Sequence, residues 1–413
     1  SVCPWTVCRT DADGRWSVTF DRVPAGGLYR VETYMEYQGW DGLSSTRGDM
    51  IHNIGVGDVF VVAGQSNAAG RAKNPVEDAP ELGVHLLRDS GVWDLATHPL
   101  GETTGSVHQG HFENHNPGHT PWLHFAKLLK RELGYPIGIV MSAYGGAPLR
   151  WWNPEENGSL YFNMLEQLAD HELHPKAMLW YQGEAEGYEN AAETYLARFT
   201  QFVGALRRDL NQPELPVITV QLNRCMTPCD TALDRQWGMV RQAQVAAARS
   251  IPGVYVLPSS DVALYDFIHN SAQGNLVIGE RCARCALAEL YGKPLMWQAP
   301  ACCTASGAPT PARARHATVC VCRCFRSTIC PLRSNMNQSY CYSFRFCCDP
   351  GFNDRREIAS LRRFVREAQI DDVAVFCNVE ELNTGHMTEE EQETIWLRLL
   401  CDVQTALAPE GVQ

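Results

Sequence analysis

The sequence has neither a long apolar run nor an excess of positive charge. No stretch approaches the roughly 20 apolar residues that a membrane-spanning helix requires, so we predict no membrane span. Acidic residues outnumber basic ones, 47 to 35, and the formal net charge is −12. Only five of the basic residues are lysines. This charge balance argues against nucleic acid or an anionic membrane surface as the main partner.

The overall composition is that of a folded, soluble protein. Hydrophobic residues make up 45% of the chain and charged residues 20%, which excludes an intrinsically disordered protein. A chain of 413 residues has room for two or three domains of ordinary size. The residues after Ser1 lack the basic and apolar segments of a signal peptide, and we expect that any such peptide has been removed or was not included.

Cysteines are scarce in the first 300 residues and crowded after them. Six of the 17 lie before residue 300, and nine lie within residues 301–350. The close pair Cys225 and Cys229 is typical of a disulfide in an exported protein. Cys282 and Cys285 have the spacing of a zinc or redox half-site. They fall in a predicted helix, however, and no second pair stands at zinc spacing, so we interpret them as packing residues.

Residues 295–350 differ in composition from the rest of the chain. They hold six Arg and one Asp with no Lys or Glu, a charge of +5 that leaves −17 for the remainder. They show no helix or strand periodicity. Two interpretations stay open: a segment stapled by disulfides or metal, or a GC-rich gene translated in a shifted frame, and we favour the second. Residues 351–413 regain helical patterns, at Ile358–Ala368 and Thr388–Ala408, without indicating a role.

The first 55 residues have a β-type pattern. Gly14–Phe20 alternates as a strand does, and a turn at Pro24–Gly27 leads to a second alternating run, Leu28–Tyr37. We therefore predict that residues 1–55 are part of a β-sandwich.

From residue 56 to residue 294, short apolar runs alternate with amphipathic segments. The runs fit strands buried on both faces of a parallel sheet, and they are Asp58–Ala63, Ile137–Ala143, Ala177–Tyr181, Pro216–Leu222 and Val254–Leu257. The segments with helical spacing are Trp122–Leu133, Ala191–Leu210, Leu233–Ser250 and Gln273–Tyr291. This alternation predicts an α/β fold with helices on both faces of a parallel sheet. In such sheets ligands bind beyond the carboxyl ends of the strands.

A serine stands where the first strand of this sheet ends. The segment Gly64–Asn67, with the sequence GQSN, is a turn of small residues that can expose the hydroxyl and direct backbone N–H groups at an anion. Taken alone, Ser66 would more often be a turn or helix N-cap residue, because a serine needs a neighbouring base to act as a nucleophile. Asp266 and His269 supply that base, since their spacing lets the carboxylate reach the imidazole within one loop.

Two further strand ends offer donors that could stabilise an oxyanion. Ser142–Gly146 ends in two glycines, where a backbone N–H can approach a reacting carbonyl oxygen. Trp180–Glu184 has the sequence WYQGE, and the side-chain amide of Gln182 can donate to the same oxygen. One such donor is typically worth about 3 kcal/mol of activation free energy.

Together these four segments resemble the motif blocks of the SGNH hydrolase superfamily. The resemblance is to its sialate O-acetylesterase-like and acetylxylan-esterase-like carbohydrate esterases, and it covers about residues 14–294. In that family GQSN is the first block, a Gly-Gly segment the second, WYQGE the third and D-x-x-H the last. The sequence departs from the family at Ala68, where Met is common, and beyond Pro294, where the usual β-strands are not recognisable.

The resemblance implies a three-layer α/β/α sheet of the SGNH, flavodoxin-like type in residues 56–294. It implies that Ser66 is the nucleophile, His269 the base and Asp266 the residue that orients the base. The oxyanion hole would consist of the Ser66 N–H, the Gly146 N–H and the Gln182 side chain. We assign substrate binding to three side chains near these blocks, Asn67, Trp151 and Glu184.

The implied activity is the removal of O-acetyl groups from carbohydrate through an acetyl-serine intermediate, without metal or cofactor. The carbohydrate would be sialic acid or a plant or microbial polysaccharide, and we expect the enzyme to be secreted or periplasmic. An acetylated carbohydrate is the one partner predicted, and the oligomeric state is left open. One alternative is a catalytically silent carbohydrate-binding protein on the same fold. A second is a metal-dependent hydrolase that uses a histidine-rich loop.

Three side signals accompany this hypothesis. Five histidines crowd one loop at irregular spacing, which favours a pocket rim over a zinc site; they are His108, His111, His115, His119 and His124. Trp151 and Trp152 are equally compatible with a platform for a sugar face and with core packing. Glu184 and Glu186 have the look of a glycosidase pair, which no other feature supports.

Overall fold

The structure is a computed structural model that describes residues 2–113, 117–226 and 231–298 and two short strands further on. The chain divides into two compact units, Ser1–Gln298 and Ala299–Gln413. In the second unit, Cys322–Cys324 pairs antiparallel with Ser339–Cys341. The predicted helices after residue 351 and most of the cysteine-rich segment lie outside the described residues, so the domain boundaries there stay predictions.

The N-terminal residues form a long β-hairpin. Strand β1 (Gly26–Gly39) pairs antiparallel with β2 (Gly42–Val56), with irregularities in register near the start of β1. The predicted run Leu28–Tyr37 therefore lies inside a strand. Gly14–Phe20 does not form a strand, so that prediction was wrong. Alternation alone does not make a strand, because the backbone N–H and C=O groups also need a pairing partner. Whether the hairpin belongs to a β-sandwich stays a prediction.

A seven-stranded sheet follows the hairpin. Its members are β3 (Asp58–Gly64), β4 (Val84–Leu87), β5 (Trp93–Leu95), β6 (Ile137–Met141), β7 (Ala177–Tyr181), β8 (Val217–Val220) and β9 (Val254–Leu257). The spatial order is β5-β4-β6-β3-β7-β8-β9, and every neighbouring pair is parallel except β4 with β5. The central β3 carries the GQSN segment at its carboxyl end, and the chain winds to β4–β6 on one side of it and to β7–β9 on the other. A ligand crevice is expected at such a reversal.

Helices connect the strands on both faces of this sheet. They are α1 (Ser66–Ala69), α2 (Trp122–Leu133), α3 (Ser159–Asp170), α4 (Glu184–Tyr188), α5 (Tyr195–Asp209), α6 (Thr231–Ser250) and α7 (Ala272–Tyr291). Single 3-10 turns lie at Gln109–His111, Leu149–Trp151 and Ala192–Thr194. No helix among these is long and apolar enough to cross a membrane.

The alternating side chains of β3 divide between two hydrophobic cores. Phe60 and Val62 pack with residues of α2 and α7, whereas Val61 and Ala63 pack with residues of α3, α5 and α6. All four are fully buried. This is the pattern of a strand covered on both faces, and it confirms the predicted three-layer α/β/α architecture.

The periodic elements lie close to where the sequence predicts them. The bounds of α2, β7 and β9 agree with the prediction, and Cys282 and Cys285 are buried core residues of α7, as interpreted. The sequence analysis did not identify β4, β5, α3 or α4. Strand β5 has only three residues, and β4 only four, which leaves too little sequence for a period to show.

Candidate active site

The GQSN turn, Gly64–Asn67, depends on close contact between two neighbouring strands. Gly64 ends β3 with a φ of +130°, and a side chain there would collide with the backbone of Tyr181 at the end of β7. The next residue, Gln65, donates its N–H to the Tyr181 carbonyl oxygen at 2.9 Å. Its side-chain oxygen accepts from the N–H groups of Gly183 and Ala185, each at 3.3 Å. Ser66 is thereby fixed at the start of α1, with 8% of its surface exposed.

The structure brings Ser66, His269 and Asp266 into one hydrogen-bonded chain. The distance from His269 Nε2 to Ser66 Oγ is 2.9 Å, and that from His269 Nδ1 to Asp266 Oδ2 is 2.7 Å. The ionised carboxylate can only accept, so Nδ1 carries the proton and Nε2 is free to accept the serine hydroxyl proton. Ser66 and His269 are 203 residues apart in sequence. This is the arrangement of a serine nucleophile with its base and the residue that orients that base.

Asp266 is held by the backbone of its own loop. Its Oδ1 accepts from the N–H of Ile268 at 2.8 Å and from the N–H of His269 at 2.7 Å. Burial raises the pKa of Asp266, but the hydrogen bonds from the His269 ring and from these two N–H groups outweigh burial and lower it. The carboxylate therefore stays ionised and keeps the imidazole oriented.

Asn67 bridges the GQSN turn and the loop that carries His269. Its side chain is 3% exposed, and its Nδ2 donates to Glu184 Oε1 at 2.6 Å and to the Ile268 carbonyl oxygen at 3.3 Å. Its Oδ1 accepts from the Asn270 N–H at 3.0 Å. The polar atoms of Asn67 are thus engaged inside the protein, so the structure places it in a supporting position and not at a substrate surface.

Glu184, the last residue of the WYQGE segment, and Glu186, two residues further on, are both buried. Glu184 is 1% exposed and Glu186 is fully buried, and burial raises the pKa of both, that of Glu184 to about 7. Glu186 accepts from the Leu149 N–H at 2.6 Å and from the side-chain amide of Gln182. Glu184 contacts Asn67. Both carboxyl groups therefore support loops of the site, and neither is presented to solvent as a glycosidase pair would require.

The predicted oxyanion donors have different surroundings. The Gly146 N–H has no hydrogen-bond acceptor among the described residues, and neither has the Ser66 N–H. Gly146 is exposed, with a φ of +67°. Gln182 is fully buried, and its amide donates to Glu186 and, at 3.3 Å, to the Ala147 carbonyl oxygen. In this structure Gln182 holds the backbone behind the glycine turn, and its amide is not directed at Ser66.

The two adjacent tryptophans have separate environments. Trp152 is fully buried and packs edge-on against Trp180, with ring centroids 5.5 Å apart. Trp151 is half-buried and contacts Tyr144 edge-on at 6.0 Å. Core packing therefore describes Trp152. Trp151 remains the tryptophan next to the glycine turn whose ring a substrate could reach, and its role stays a prediction.

The histidines of the crowded loop do not converge on one point. His108 lies near Glu166, His111 near Asp89, and His119 near Asp78, while His115 lies outside the described residues. His124 lies 3.8 Å from Asp78. The loop histidines therefore contact three different carboxylates, Glu166, Asp89 and Asp78, while His124 lies in α2 and shares Asp78 with His119. Their interpretation as a pocket rim stays a prediction.

Of the described residues, one group has three potential metal ligands close together: Asp78, His98 and His119. The Nε2 atoms of His98 and His119 lie 2.9 and 3.1 Å from Asp78 Oδ2. Asn275 Nδ2 donates to the His119 carbonyl oxygen and faces His119 Nδ1, so Nδ1 accepts and Nε2 carries the proton toward Asp78. Lys127 Nζ lies 2.5 Å from the other oxygen of Asp78. The group can offer metal ligands, but its hydrogen-bond directions and charge are already balanced as an ion-paired cluster.

The sequence analysis missed the residues behind the glycine turn. Glu113 accepts the Gly145 N–H at 3.0 Å and pairs with Arg71, and His111 contacts the Ala143 carbonyl oxygen at 3.1 Å. The only signals were the presence of Arg71 just after the GQSN turn and of His111 in the crowded loop. Neither residue type has a spacing that marks it as part of a site.

Comparisons with known proteins relate this unit to carbohydrate esterases. A family model described as carbohydrate esterase, sialic acid-specific acetylesterase, matches residues 56–288. A probable carbohydrate esterase of Arabidopsis thaliana is 31% identical over 188 residues, which cover 40% of this chain and 68% of that protein. The sialate O-acetylesterase of Homo sapiens is 26% identical over 210 residues, which cover 41% of this chain and 38% of that protein.

A solved structure shows the same fold. The crystal structure of a carbohydrate acetylesterase from Xanthomonas citri is 24% identical, covers 70% of this chain and 67% of its own, and superposes with a TM-score of 0.51. At that identity the likeness concerns the fold alone.

Proposed function

The chain belongs to the sialic acid-specific acetylesterase family of carbohydrate esterases, a family of carboxylic ester hydrolases, and from that premise we propose that Ser66 is its nucleophile. His269 is the general base, and Asp266 orients it. The observation that carries this proposal is the hydrogen-bonded chain from Asp266 Oδ2 to His269 Nδ1 at 2.7 Å and from His269 Nε2 to Ser66 Oγ at 2.9 Å.

The reaction follows from the direction of this chain. His269 Nε2 takes the hydroxyl proton as Ser66 Oγ attacks the acetyl carbonyl carbon, and the carbonyl electron pair moves onto oxygen. The tetrahedral intermediate collapses, and the sugar oxygen leaves with the proton from His269, which gives acetyl-Ser66 and a free sugar hydroxyl. His269 then takes a proton from water as that water attacks the acetyl group. Acetate leaves, and the proton returns to Ser66.

We propose that the N–H groups of Ser66 and Gly146 stabilise the oxyanion. Both lack an acceptor among the described residues, and Tyr144, next to the glycine pair, donates its N–H to the Gly64 carbonyl oxygen at 3.1 Å. This bond ties the glycine turn to the GQSN turn. Gln182, Asn67 and Glu184 are assigned supporting positions, because all three side chains are buried and each makes a hydrogen bond to another buried group of the protein.

The proposed substrate is an O-acetylated carbohydrate. The family description and the names of the relatives support this class. The name of the human relative makes an acetylated sialic acid one candidate, and a plant or microbial polysaccharide is the other. Trp151, half-buried and close to the glycine turn, is the ring proposed to contact the sugar.

We further propose that the protein is secreted or periplasmic. The close spacing of Cys225 and Cys229 is typical of a disulfide in an exported protein, and Cys229 lies outside the described residues. Expression of the full-length gene product with a C-terminal tag, followed by fractionation, tests this. Tagged protein in the medium or periplasm supports it, and tagged protein confined to the cytosol contradicts it.

Hydrolysis of p-nitrophenyl acetate by the wild type and by Ser66→Ala tests the nucleophile. We expect the variant to lose at least about 10³-fold in kcat, because the acetyl-serine intermediate can no longer form. Ser250→Ala, at the exposed end of α6, is the matched control and should keep wild-type activity. Full activity in Ser66→Ala would remove the proposal.

The same assay separates the two rival functions. A catalytically silent carbohydrate-binding protein would show no activity in the wild type, although it would bind an acetylated sugar. A metal-dependent hydrolase would lose activity in EDTA and regain it on addition of Zn²⁺. The proposal expects activity that resists EDTA and disappears in Ser66→Ala.

A further inference from the structure

A short segment of the histidine-rich loop contacts the glycine turn at its beginning and near its end. This segment is His111–Glu113, and the turn, here called the oxyanion turn, is Ala143–Gly146. His111 contacts the carbonyl oxygen at the beginning of the turn, and Glu113 contacts an N–H near its end. We propose that His111 and Glu113 are positioning residues that hold the Gly146 N–H toward the oxyanion. The inference rests on the proposed function.

Glu113 holds the Gly145 N–H of the turn. Its side chain is 5% exposed, and its Oε2 accepts the Gly145 N–H at 3.0 Å. Its Oε1 pairs with Arg71, which also donates to the Gly70 carbonyl oxygen at 2.8 Å, immediately after α1. The carboxylate thus joins the oxyanion turn to the segment that follows the nucleophile, and Arg71 balances its charge.

The backbone of Glu113 is itself anchored. Its N–H donates to Thr103 Oγ1 at 2.9 Å, and Thr103 Oγ1 lies 3.3 Å from the Glu113 carbonyl oxygen. Thr103 is 3% exposed, so this anchor is inside the protein. Glu113 is fixed at its backbone and paired at its side chain, so its carboxylate can hold in place the N–H group that donates to it.

His111 holds the other end of the turn. Its Nε2 lies 3.1 Å from the Ala143 carbonyl oxygen and its Nδ1 lies 2.7 Å from Asp89 Oδ2, and both partners are acceptors. Two acceptors require two ring N–H groups, so this geometry describes an imidazolium that pairs with Asp89. His111 is 1% exposed and Asp89 4% exposed, which shields the pair from solvent.

The contacts of His111 and Glu113 leave one donor of the oxyanion turn, the Gly146 N–H, without an acceptor among the described residues. A Cβ at Gly145 would meet the ends of the Glu113 and Arg71 side chains, so glycine lets the carboxylate approach its N–H without displacing them. The next residue, Gly146, has open space around its Cα and a φ of +67°. With the Gly145 N–H bound to Glu113, the Gly146 N–H is left for an outside acceptor. Its direction therefore depends on the bonds at Ala143 and Gly145.

Substitutions of Glu113 test the proposal through kcat. Loss of one oxyanion donor costs about 10²- to 10³-fold in kcat, so a donor that is displaced and not removed should cost about 10-fold or more. We expect Glu113→Ala to lower kcat for p-nitrophenyl acetate by that amount with KM within about twofold. Glu113→Gln keeps an acceptor for the Gly145 N–H and should recover a large part of the loss.

Glu166 supplies the matched control, because it is exposed and contacts the same loop at His108 without touching the oxyanion turn. Glu166→Ala and Glu166→Gln should keep wild-type kcat. A structural readout accompanies the kinetics: amide hydrogen exchange in the peptide that contains Ala143–Gly146 should accelerate in Glu113→Ala and stay unchanged in Glu166→Ala. If Glu113→Ala fails to fold in thermal unfolding, His111→Gln, which cannot donate to both Asp89 and the Ala143 carbonyl oxygen as the ring does, carries the same two measurements. It should then show the loss of kcat and the faster exchange at the turn, and wild-type values of both would overturn the positioning role.

The outcomes distinguish this inference from the proposed function. Wild-type kcat in folded Glu113→Ala, or a rise in KM with kcat unchanged, overturns the positioning role while Ser66→Ala remains inactive. Full activity in Ser66→Ala overturns the proposed function itself. A loss of kcat in Glu113→Ala, with recovery in Glu113→Gln and faster exchange at the turn, supports the inference.

Discussion

The protein contains two aspartate–histidine groups that look alike locally and differ in what surrounds them. At the candidate active site, Asp266 holds one His269 nitrogen, and the other nitrogen meets the Ser66 hydroxyl at 2.9 Å. In the second group, two histidines, His98 and His119, both point at Asp78 Oδ2. There the carboxylate is the common target, and no hydroxyl meets the other ring nitrogens: His119 Nδ1 faces the Asn275 amide, and His98 Nδ1 is buried without a hydrogen-bond partner among the described residues.

The two groups differ in the partner of the second ring nitrogen and in the exposure of the carboxylate. Asp266 keeps 34% of its side chain exposed, whereas Asp78 keeps 2%. Lys127 neutralises Asp78 from the other side at 2.5 Å. An Asp–His contact therefore does not by itself indicate catalysis. The atom that meets the second ring nitrogen decides between a proton relay and an ion-paired support.

The largest expected effect comes from removing the histidine in each group. His269→Ala should lower kcat for p-nitrophenyl acetate by at least about 10³-fold with little change in thermal stability, because it removes the base. His119→Ala is the comparison variant and should keep kcat within about threefold while lowering the midpoint of unfolding. A large loss of kcat in His119→Ala would erase the distinction drawn between the groups.

The next effect concerns the free energy of unfolding. Asp78→Asn leaves the buried Lys127 without its counter-charge, so we expect a loss of about 3–5 kcal/mol in urea unfolding with kcat unchanged. Asp261→Asn is the control, because Asp261 pairs with Arg281 at the surface with 59% of its side chain exposed. An exposed pair is worth at most about 1 kcal/mol. Equal losses in the two variants would contradict a supporting role for Asp78.

The pH dependence of this support has a definite sign. Burial raises the pKa of Asp78, but hydrogen bonds from His119, His124, His98 and Lys127 together lower it far below its ordinary value. A carboxyl group whose pKa is lower in the folded state stabilises the protein at pH values above its unfolded pKa of about 3.9. That stabilisation is lost as the pH falls from about 3.9 toward the folded-state pKa. Asp78→Asn should accordingly lose less stability on acidification than the wild type.

The smallest expected effect concerns Glu184, the buried carboxyl group behind the candidate active site, and the pH dependence of the free energy of unfolding. Burial raises the pKa of Glu184 to about 7, so its contribution is complete below its unfolded pKa and is lost as the pH rises through about 7. The wild type should lose about 3 kcal/mol of unfolding free energy over that range. Glu184→Gln has no proton to release and should flatten the dependence in urea unfolding at about pH 5 and about pH 8.5.

Glu132→Gln, on the exposed surface of α2, is the control for this experiment and should keep the wild-type pH dependence. An unchanged pH dependence in Glu184→Gln would show that the buried carboxyl group is not the source of the effect. Activity of Glu184→Gln should stay within about tenfold of the wild type, since Glu184 reaches the nucleophile only through Asn67.

The sequence by itself determined the architecture of residues 56–294 and the chemistry of the site. Buried strands and amphipathic helices have periods that survive in the sequence, which is why the bounds of α2, β7 and β9 were predicted well. The pair Asp266 and His269 was readable because its spacing closes within one loop. Ser66 was readable because its turn requires small residues between a buried strand and the next segment.

Tertiary structure alone decided which polar side chains of the motifs are buried behind the candidate site. Asn67, Gln182 and Glu184 lie in the motifs, yet their partners are buried groups, and for Asn67 and Glu184 these are 117 residues apart. The grip of Glu113 on Gly145 spans 32 residues and has no periodic signature. A hydrogen bond between distant segments depends on where the sheet places their backbones, and no local spacing in the sequence encodes that placement.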